Sequence, residues 1–261
     1  VTPISAVRAV MWPIKVLDLL FMTKLVPFAR KLHRWLSYAV FLQVTFWVVG
    51  GLTFAVIPFD TIIKGGAVIT SPPAPTIMPA ELTQLGMRLP SETPLDHFAV
   101  HSSSQGAIAE VHTAQGTKWL RLVDGKWVIP PLAEDITRFA LTLYRGDAAL
   151  SGARYLAESE GRYLGLVDET YGQGDVWQVE FDDSLNTRLY FEGATGRYLT
   201  VRNDAWVFYD AMWRLHIMDY GDGDDFNNTL LRVVTPLALL FVLSGILLTW
   251  TAAKRAVRNR R

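Results

Sequence analysis

The sequence predicts a membrane protein in which two transmembrane α-helices flank a periplasmic α+β domain. Three observations carry this. Two long apolar runs, one in each terminal region of the 261-residue chain, hold no charged residue. Basic residues gather beside those runs while the stretch between them is acidic. That stretch reads twice as a helix followed by three short alternating strands.

The charge arithmetic comes first because it hides its own meaning. The 25 basic and 25 acidic residues cancel, yet Arg8, Lys15, Lys24, Arg30, Lys31 and Arg34 precede the first run with Asp18 as the lone acid. Lys254 to Arg261 adds five bases and no acid, so the ends sum to +10 and the middle to −10. Bases that flank apolar segments instead of lining a soluble face describe membrane topology, not nucleic-acid binding. Charged residues make up 19% of the chain, against about 25% in soluble domains, which disfavours a disordered tail or an ordinary cytosolic enzyme. There is no cysteine. Disulfide frameworks, thiolate zinc sites, iron–sulfur clusters, covalently attached haem and cysteine nucleophiles are thereby excluded.

Residues 1–35 are apolar with scattered charge and are interrupted by Pro13 and Pro27. They read as a cytoplasmic, interfacial amphipathic segment, because Lys15, Asp18 and Lys24 would otherwise lie in hydrocarbon, or as a surface for another subunit. Leu36–Ile57 is uncharged over 22 residues. At 1.5 Å per residue it reaches about 33 Å, enough for a hydrocarbon core of about 30 Å. It is too long for a signal-peptide core and no cleavage pattern follows it, so it is expected to remain as the first transmembrane helix. Residues 58–78 form a linker whose SPPAP stretch (Ser71 to Pro75) blocks helix and central strand. Residues 79–130 form the first α+β unit: a short helix Pro79 to Gly86, strands at Phe98 to His101 and Gly106 to Thr113, and a hairpin Lys118 to Ile129 about Asp124-Gly125. Residues 131–204 form the second, with a helix Leu132 to Gly146 and strands Gly174 to Phe181, Thr187 to Phe191 and Tyr198 to Arg202. The repetition indicates an internal duplication, each helix covering one face of an antiparallel sheet. Residues 205–232 are aromatic and acidic and belong to the membrane interface. The second transmembrane helix is 233–253, where Pro236 should kink or begin it, and 254–261 is a basic cytoplasmic tail. The positive-inside rule then puts both termini in the cytoplasm and residues 58–232 in the periplasm of a bacterial inner membrane.

Three segments resemble the PepSY-associated transmembrane proteins: LHRWLSYAVFLQVTFWVVGGL (Leu32 to Leu52), TRLYFEGATGRYLTV (Thr187 to Val201) and WRLHIMDY (Trp213 to Tyr220). The first is similar to the family's His-Arg-Trp-Leu-Gly start of a helix, with Ser37 in place of Gly and Gly50-Gly51 in place of Ser-Gly. The second is similar to its Asp-x-x-Thr-Gly turn, with Glu192 in place of Asp. The resemblance implies two PepSY-like units carried between membrane helices. It also implies kinship with haem-containing transmembrane reductases, and with PepSY domains that inhibit peptidases.

Candidate residues follow from chemistry. His33 and His216 lie in the resembling segments, and neutral imidazole is the natural haem ligand where cysteine is missing. They fall about a membrane thickness apart, so a haem would need a partner's histidine or Met212 or Met218 as its second ligand. His97 and His101 have i, i+4 spacing, but on a strand that is about 13 Å, so no metal site is expected there. His112 reads as a surface residue. The run Asp219 to Asn228 offers calcium-type oxygens but lacks the twelve-residue loop pattern, which favours a solvated acidic loop. Gln43 and Trp47, Gly50-Gly51 and Ser244-Gly245 mark faces for helix packing. Trp35, Trp206, Trp213, Tyr220 and Trp250, with Phe208 and Tyr209, read as an interfacial aromatic belt.

No nucleophile elbow, zinc-protease pair, phosphate loop or paired carboxylate is present, and Glu134-Asp135 and Asp182-Asp183 read as helix-start and turn residues. The expected function is that of a non-catalytic accessory subunit, contacting membrane lipids and either other integral-membrane subunits or further copies of itself. Haem-based electron transfer and peptidase inhibition are the alternatives.

Overall fold

The computed structural model describes residues 24–63, 65–88, 97–113, 116–221 and 223–259. The expectation for residues 1–23 lies outside the described residues. Two compact units emerge, one of residues up to Gly51 together with those from Arg214 onward, the other Leu52–Trp213.

In the first unit the two apolar runs become helices α1 (Val26–Val56, its last turn shared with the other unit) and α6 (Thr229–Asn259). Both are long and apolar enough to cross a membrane. α1 starts ten residues before the expected boundary at Leu36, because nothing between Pro27 and Leu36 breaks a helix. Pro27 sits in the first turn, where its missing N–H is not needed. Pro236 lies inside α6 and does not begin it. The α6 start is set by Asn228, whose side-chain oxygen accepts from the Leu231 amide at 2.8 Å.

The second unit holds short helices α2 (Phe59–Ile63) and α3 (Pro79–Arg88), helix α4 (Ala133–Leu143), and most of α5 (Asp204–Ile217). Among the described residues, nine strands form three antiparallel sheets. The first, in order β1-β2-β3, uses His97–Ser103, Gly106–Thr113 and Gly116–Arg121. The second, in order β4-β7-β8-β9, uses Leu150–Leu156, Val176–Phe181, Arg188–Glu192 and Tyr198–Arg202. The third is a small ribbon of β5 (Gly161–Arg162) and β6 (Val167–Asp168).

Each sheet has a buried apolar face. Ala109, Val111, Leu120 and Leu122 form that of the first, with Ile77 and Phe98 packed on it. On the second, Ile136, Ala140 and Leu143 of α4 cover Val179, Phe181, Leu189 and Phe191, as the helical spacing predicts. Three expectations change. The hairpin about Asp124-Gly125 keeps its turn, but its return arm pairs only where Leu120 meets Trp127. Strand β4 was not foreseen, because LSGARYL is an edge strand with no alternation of apolar residues. The segment 58–78 is no free linker: it forms α2 and a 3-10 turn (Gly66–Val68), and Ile69 bridges to Tyr144.

The other face of the second sheet carries polar residues that are buried along β8 and open to solvent toward β4. Arg188 and Tyr190 alternate with Leu189 and Phe191, and all four are enclosed. Glu169, which follows the β5–β6 ribbon, lies on this face and is 3% exposed. It accepts from Arg188 Nε at 2.8 Å, Tyr190 Oη at 3.1 Å and Arg162 Nε at 3.2 Å. Burial opposes the charge of Arg188, but the Glu169 and Asp204 carboxylates outweigh it and hold the guanidinium above its ordinary value. Removing one member of a buried pair strands the other, at a cost of about 3–5 kcal/mol. Glu169→Gln and Arg188→Met are therefore each expected to lower stability by about that amount in urea unfolding. Tyr190→Phe should cost about 1 kcal/mol.

Candidate functional site

Within the first unit, α1 and α6 meet through His33. Its Nδ1–H donates to the Phe241 carbonyl at 3.1 Å and lies 2.9 Å from Ser244 Oγ, and the ring stacks on Phe241 with centroids 4.4 Å apart. A carbonyl can only accept, so Nδ1 carries the proton and the Nε2 lone pair is the one left for a ligand. Gly245 makes room for this ring: a Cβ there would lie 3.2 Å from His33 Cε1. Gly50 is buried, whereas a Cβ on Gly51 would meet nothing within 4 Å among the described residues.

Farther along α1, Gln43 and Trp47 meet the end of α5. Gln43 Nε2 donates to the Leu215 carbonyl at 2.9 Å, and Trp47 Nε1 to that of His216 at 2.7 Å. Asn228 Nδ2 donates to the Ile217 carbonyl at 2.9 Å. A helix ends with carbonyls that have no partner of its own, and here three side chains satisfy three of them. Gln43 and Trp47, from within the first apolar run, thus serve as a helix cap. His216 is half-buried, its ring 6.5 Å from that of Trp47, and burial pushes its imidazole below the ordinary value. Trp47 follows His33 by fourteen residues, or about 21 Å of helix. His33 and His216 are therefore held at different levels of α1.

The acidic run after α5 folds onto itself. The carboxylate of Asp219 accepts from the amides of Gly221, Gly223, Asp224 and Asp225 at 2.9–3.0 Å. The Asp225 amide, ahead of those of Gly221, Gly223 and Asp224, holds this carboxyl below its ordinary value against the effect of burial. Those oxygens are spoken for, and among the described residues no group of three or more metal-ligating side chains is disposed to hold an ion.

The interfacial aromatics divide. Trp35, Tyr220 and Trp250 are exposed, Trp250 with Lys254 Nζ 5.3 Å above its ring. Trp206 and Trp213 do not belong to an open belt. Trp206 is 6% exposed in a core with Ile62, Val167, Val207 and Ala211, and Trp213 packs edge-on against Phe54 at 5.8 Å.

In the second unit, sequence reasoning missed the site with the most distinctive chemistry. Asn203 caps α5 by accepting from the Trp206 amide at 2.8 Å and donates to the Thr61 carbonyl of α2 at 3.0 Å. This places α2 beside α5, and between them, Tyr171 and β9 lies a cleft of about 420 Å³. Arg202 sits in its wall, 9% exposed, with the face of Trp206 at 4.1 Å and that of Tyr171 at 5.5 Å. The alternation of Arg188 and Tyr190 with apolar residues signals a strand with one polar face, and the burial of that face as well carries no local signal.

The histidines of the first sheet also gather. The register pairs His97 with His112 and Ala99 with Glu110, so His97, His101, Glu110 and His112 share one face. Nε2–H of His101 and of His112 each donate to Glu110, at 2.7 and 2.8 Å. His112 is thus a partner of Glu110 and not a bare surface residue. Burial alone would raise the Glu110 carboxyl, but hydrogen bonds with His112 and His101 hold it below its ordinary value of 4.5. A carboxyl depressed on folding contributes stability above its unfolded value and loses it as pH falls through the folded one. Acid titration followed by amide exchange on β1 and β2 should show this sheet loosening below about pH 4.5, and Glu110→Gln should abolish that step.

No protein-family model matches the chain, and neither the curated proteins nor the solved structures yield a match.

Proposed function

We propose that this chain is a non-catalytic, two-pass inner-membrane protein of PepSY type, acting as an accessory subunit of a larger membrane complex, with both termini cytoplasmic and residues 58–232 periplasmic. The observation that supports this most is a stagger between the helices. His33 lies three residues before the first apolar run, yet it meets Phe241 and Ser244, in the middle of the second. Ser244 is nine residues from Ala253, about 14 Å along the helix. A hydrocarbon layer fitted to the second run therefore takes in Arg30, Lys31 and Arg34, all exposed on α1. Cations at that depth face other protein or reach for the headgroups. The two helices alone supply no such partner, so a further polar or acidic helix face is the reading's central demand.

Electron transfer is the second reading, favoured by the anchored Nδ1 of His33. Hydrogen bonding at one ring nitrogen orients the other as a ligand. His33 would supply one ligand to a haem through Nε2, and a second would have to come from outside the described residues.

One preparation tests both. The full chain, extracted gently from native membranes, is expected to be colourless and to bring defined companion proteins, which Arg30→Gln/Lys31→Gln/Arg34→Gln releases. A lone monomer unaffected by those changes would overturn the accessory role. A haem band that disappears in His33→Ala would establish the second reading in its place. Independently, Gln43→Leu should cost about 1 kcal/mol and speed amide exchange at the end of α5, a loss that a role in partner contact alone would not produce.

A further inference from the structure

The cleft at Arg202 carries an inference that the accessory role does not use. Arg202 is tethered on two of its three nitrogens. Nε donates to the Glu169 carbonyl at 3.1 Å, while Nη1 donates to the Val201 carbonyl at 2.9 Å and to Thr200 Oγ1. Nη2 takes part in none of these bonds. The plane is clamped by Trp206 and Tyr171, so the remaining N–H edge has a fixed direction. Burial pushes this guanidinium below its ordinary value, against the pull of Tyr171, Glu169, Asp210 and Tyr190. A desolvated cation of this kind gains most from a partner anion that completes its hydrogen bonds.

The rest of the cleft selects which anion. Its walls are mainly aromatic and aliphatic, with Phe59 and Tyr171 largely exposed. Asp210 also lines it, which disfavours a small, doubly charged ion. A singly charged oxyanion attached to an apolar body suits both features. Position narrows this further. Phe59 follows the end of α1 by three residues, and Phe54, in the last turn of α1, packs on Tyr209 and Trp213, which also line the cleft. The cleft therefore adjoins the end of the first apolar run, and a hydrocarbon layer fitted to that run, Leu36–Ile57, would present its headgroups there, where amphipathic aromatic rings collect.

We propose that this cleft binds the phosphodiester headgroup of a membrane phospholipid, with Arg202 Nη2 donating to a phosphate oxygen between the rings of Phe59 and Tyr171. The proposal rests on the membrane reading above.

The test uses the full chain in a phosphate-free detergent, incubated with mixed micelles of phosphatidylethanolamine and phosphatidylglycerol or with inorganic phosphate alone. Retained lipid is counted by native mass spectrometry and followed by the fluorescence of Trp206. Wild type should keep phospholipid that inorganic phosphate does not displace; Arg202→Gln should retain about tenfold less, the loss of one charge-assisted contact, and Phe59→Asp about tenfold less through the carboxylate it sets against the phosphate. Phe59→Asp leaves every hydrogen bond of Arg202 in place, so it decides the matter if Arg202→Gln fails to fold. Equal retention in wild type and Phe59→Asp would overturn the proposal, as would displacement by inorganic phosphate, which would identify a free-anion site. A chain that resists carbonate extraction from membranes but retains no phospholipid would overturn this site and leave the membrane reading standing. A chain that washes off would overturn both.

Discussion

The second unit depends on one buried ion pair. Glu169 and Arg188 are almost fully enclosed, and each is satisfied by further neighbours: Tyr190 and Arg162 on the acid, Asp204 and the Asn186 carbonyl on the base. Such a pair adds little net stability over an apolar replacement, since desolvation cancels much of the Coulomb gain. What it does is restrict arrangement. Only one placement of the segment around Glu169 lets the carboxylate meet Arg188 while its own carbonyl meets Arg202. That placement brings Tyr171 against Arg202 and so builds one wall of the cleft. The polar face of the sheet is thus the scaffold of the site.

A second recurring device is the asparagine that serves two segments at once. Asn203 accepts from an amide at the start of α5 and donates to a carbonyl of α2. Asn228 accepts at the start of α6 and donates to the end of α5. An amide can serve both because it offers an acceptor and two donors at separate atoms on one rigid plane. Aspartate in either place would keep the cap and lose the donor. Both ends of α5 are secured in this way, and at its C-terminal end Gln43 and Trp47 add the same chemistry from α1.

Much of this fold was legible in the amino-acid order, for reasons that also explain what was not. The apolar runs of α1 and α6, the stripe of Ile136, Ala140 and Leu143, and strands β2 and β9 follow from burial periodicity, which is a local property. Asp124-Gly125 and Asp182-Asp183 were readable as turns because their chemistry is local too. The edge strand β4 left no periodic trace, having little to bury. Trp206 looked interfacial because an aromatic residue near a span is ambiguous until its neighbours are known. Neither periodicity nor composition reports that Arg202 lies on its ring. An amide such as Gln43 within an apolar run calls for a partner, but the one it has, a backbone carbonyl of α5, carries no sequence signature.

The stagger of α1 against α6 is the instructive case. Run length measures how much of a helix prefers hydrocarbon, and says nothing about which stretch of its neighbour lies alongside. Here the register is set by His33 fitting over Gly245 and bonding to Phe241 and Ser244, and by the cap at Gln43 and Trp47. Both sets of contacts are polar, so sliding the helices to align the two runs would leave an imidazole and several helix-end carbonyls without partners in an apolar setting. The alternative is to retain the register and place cations beside apolar helix, where they need acids or water from elsewhere. The chain adopts the second. Within the helical unit, local hydrogen bonding outweighs the matching of apolar length, and Arg30, Lys31 and Arg34 stay exposed on α1.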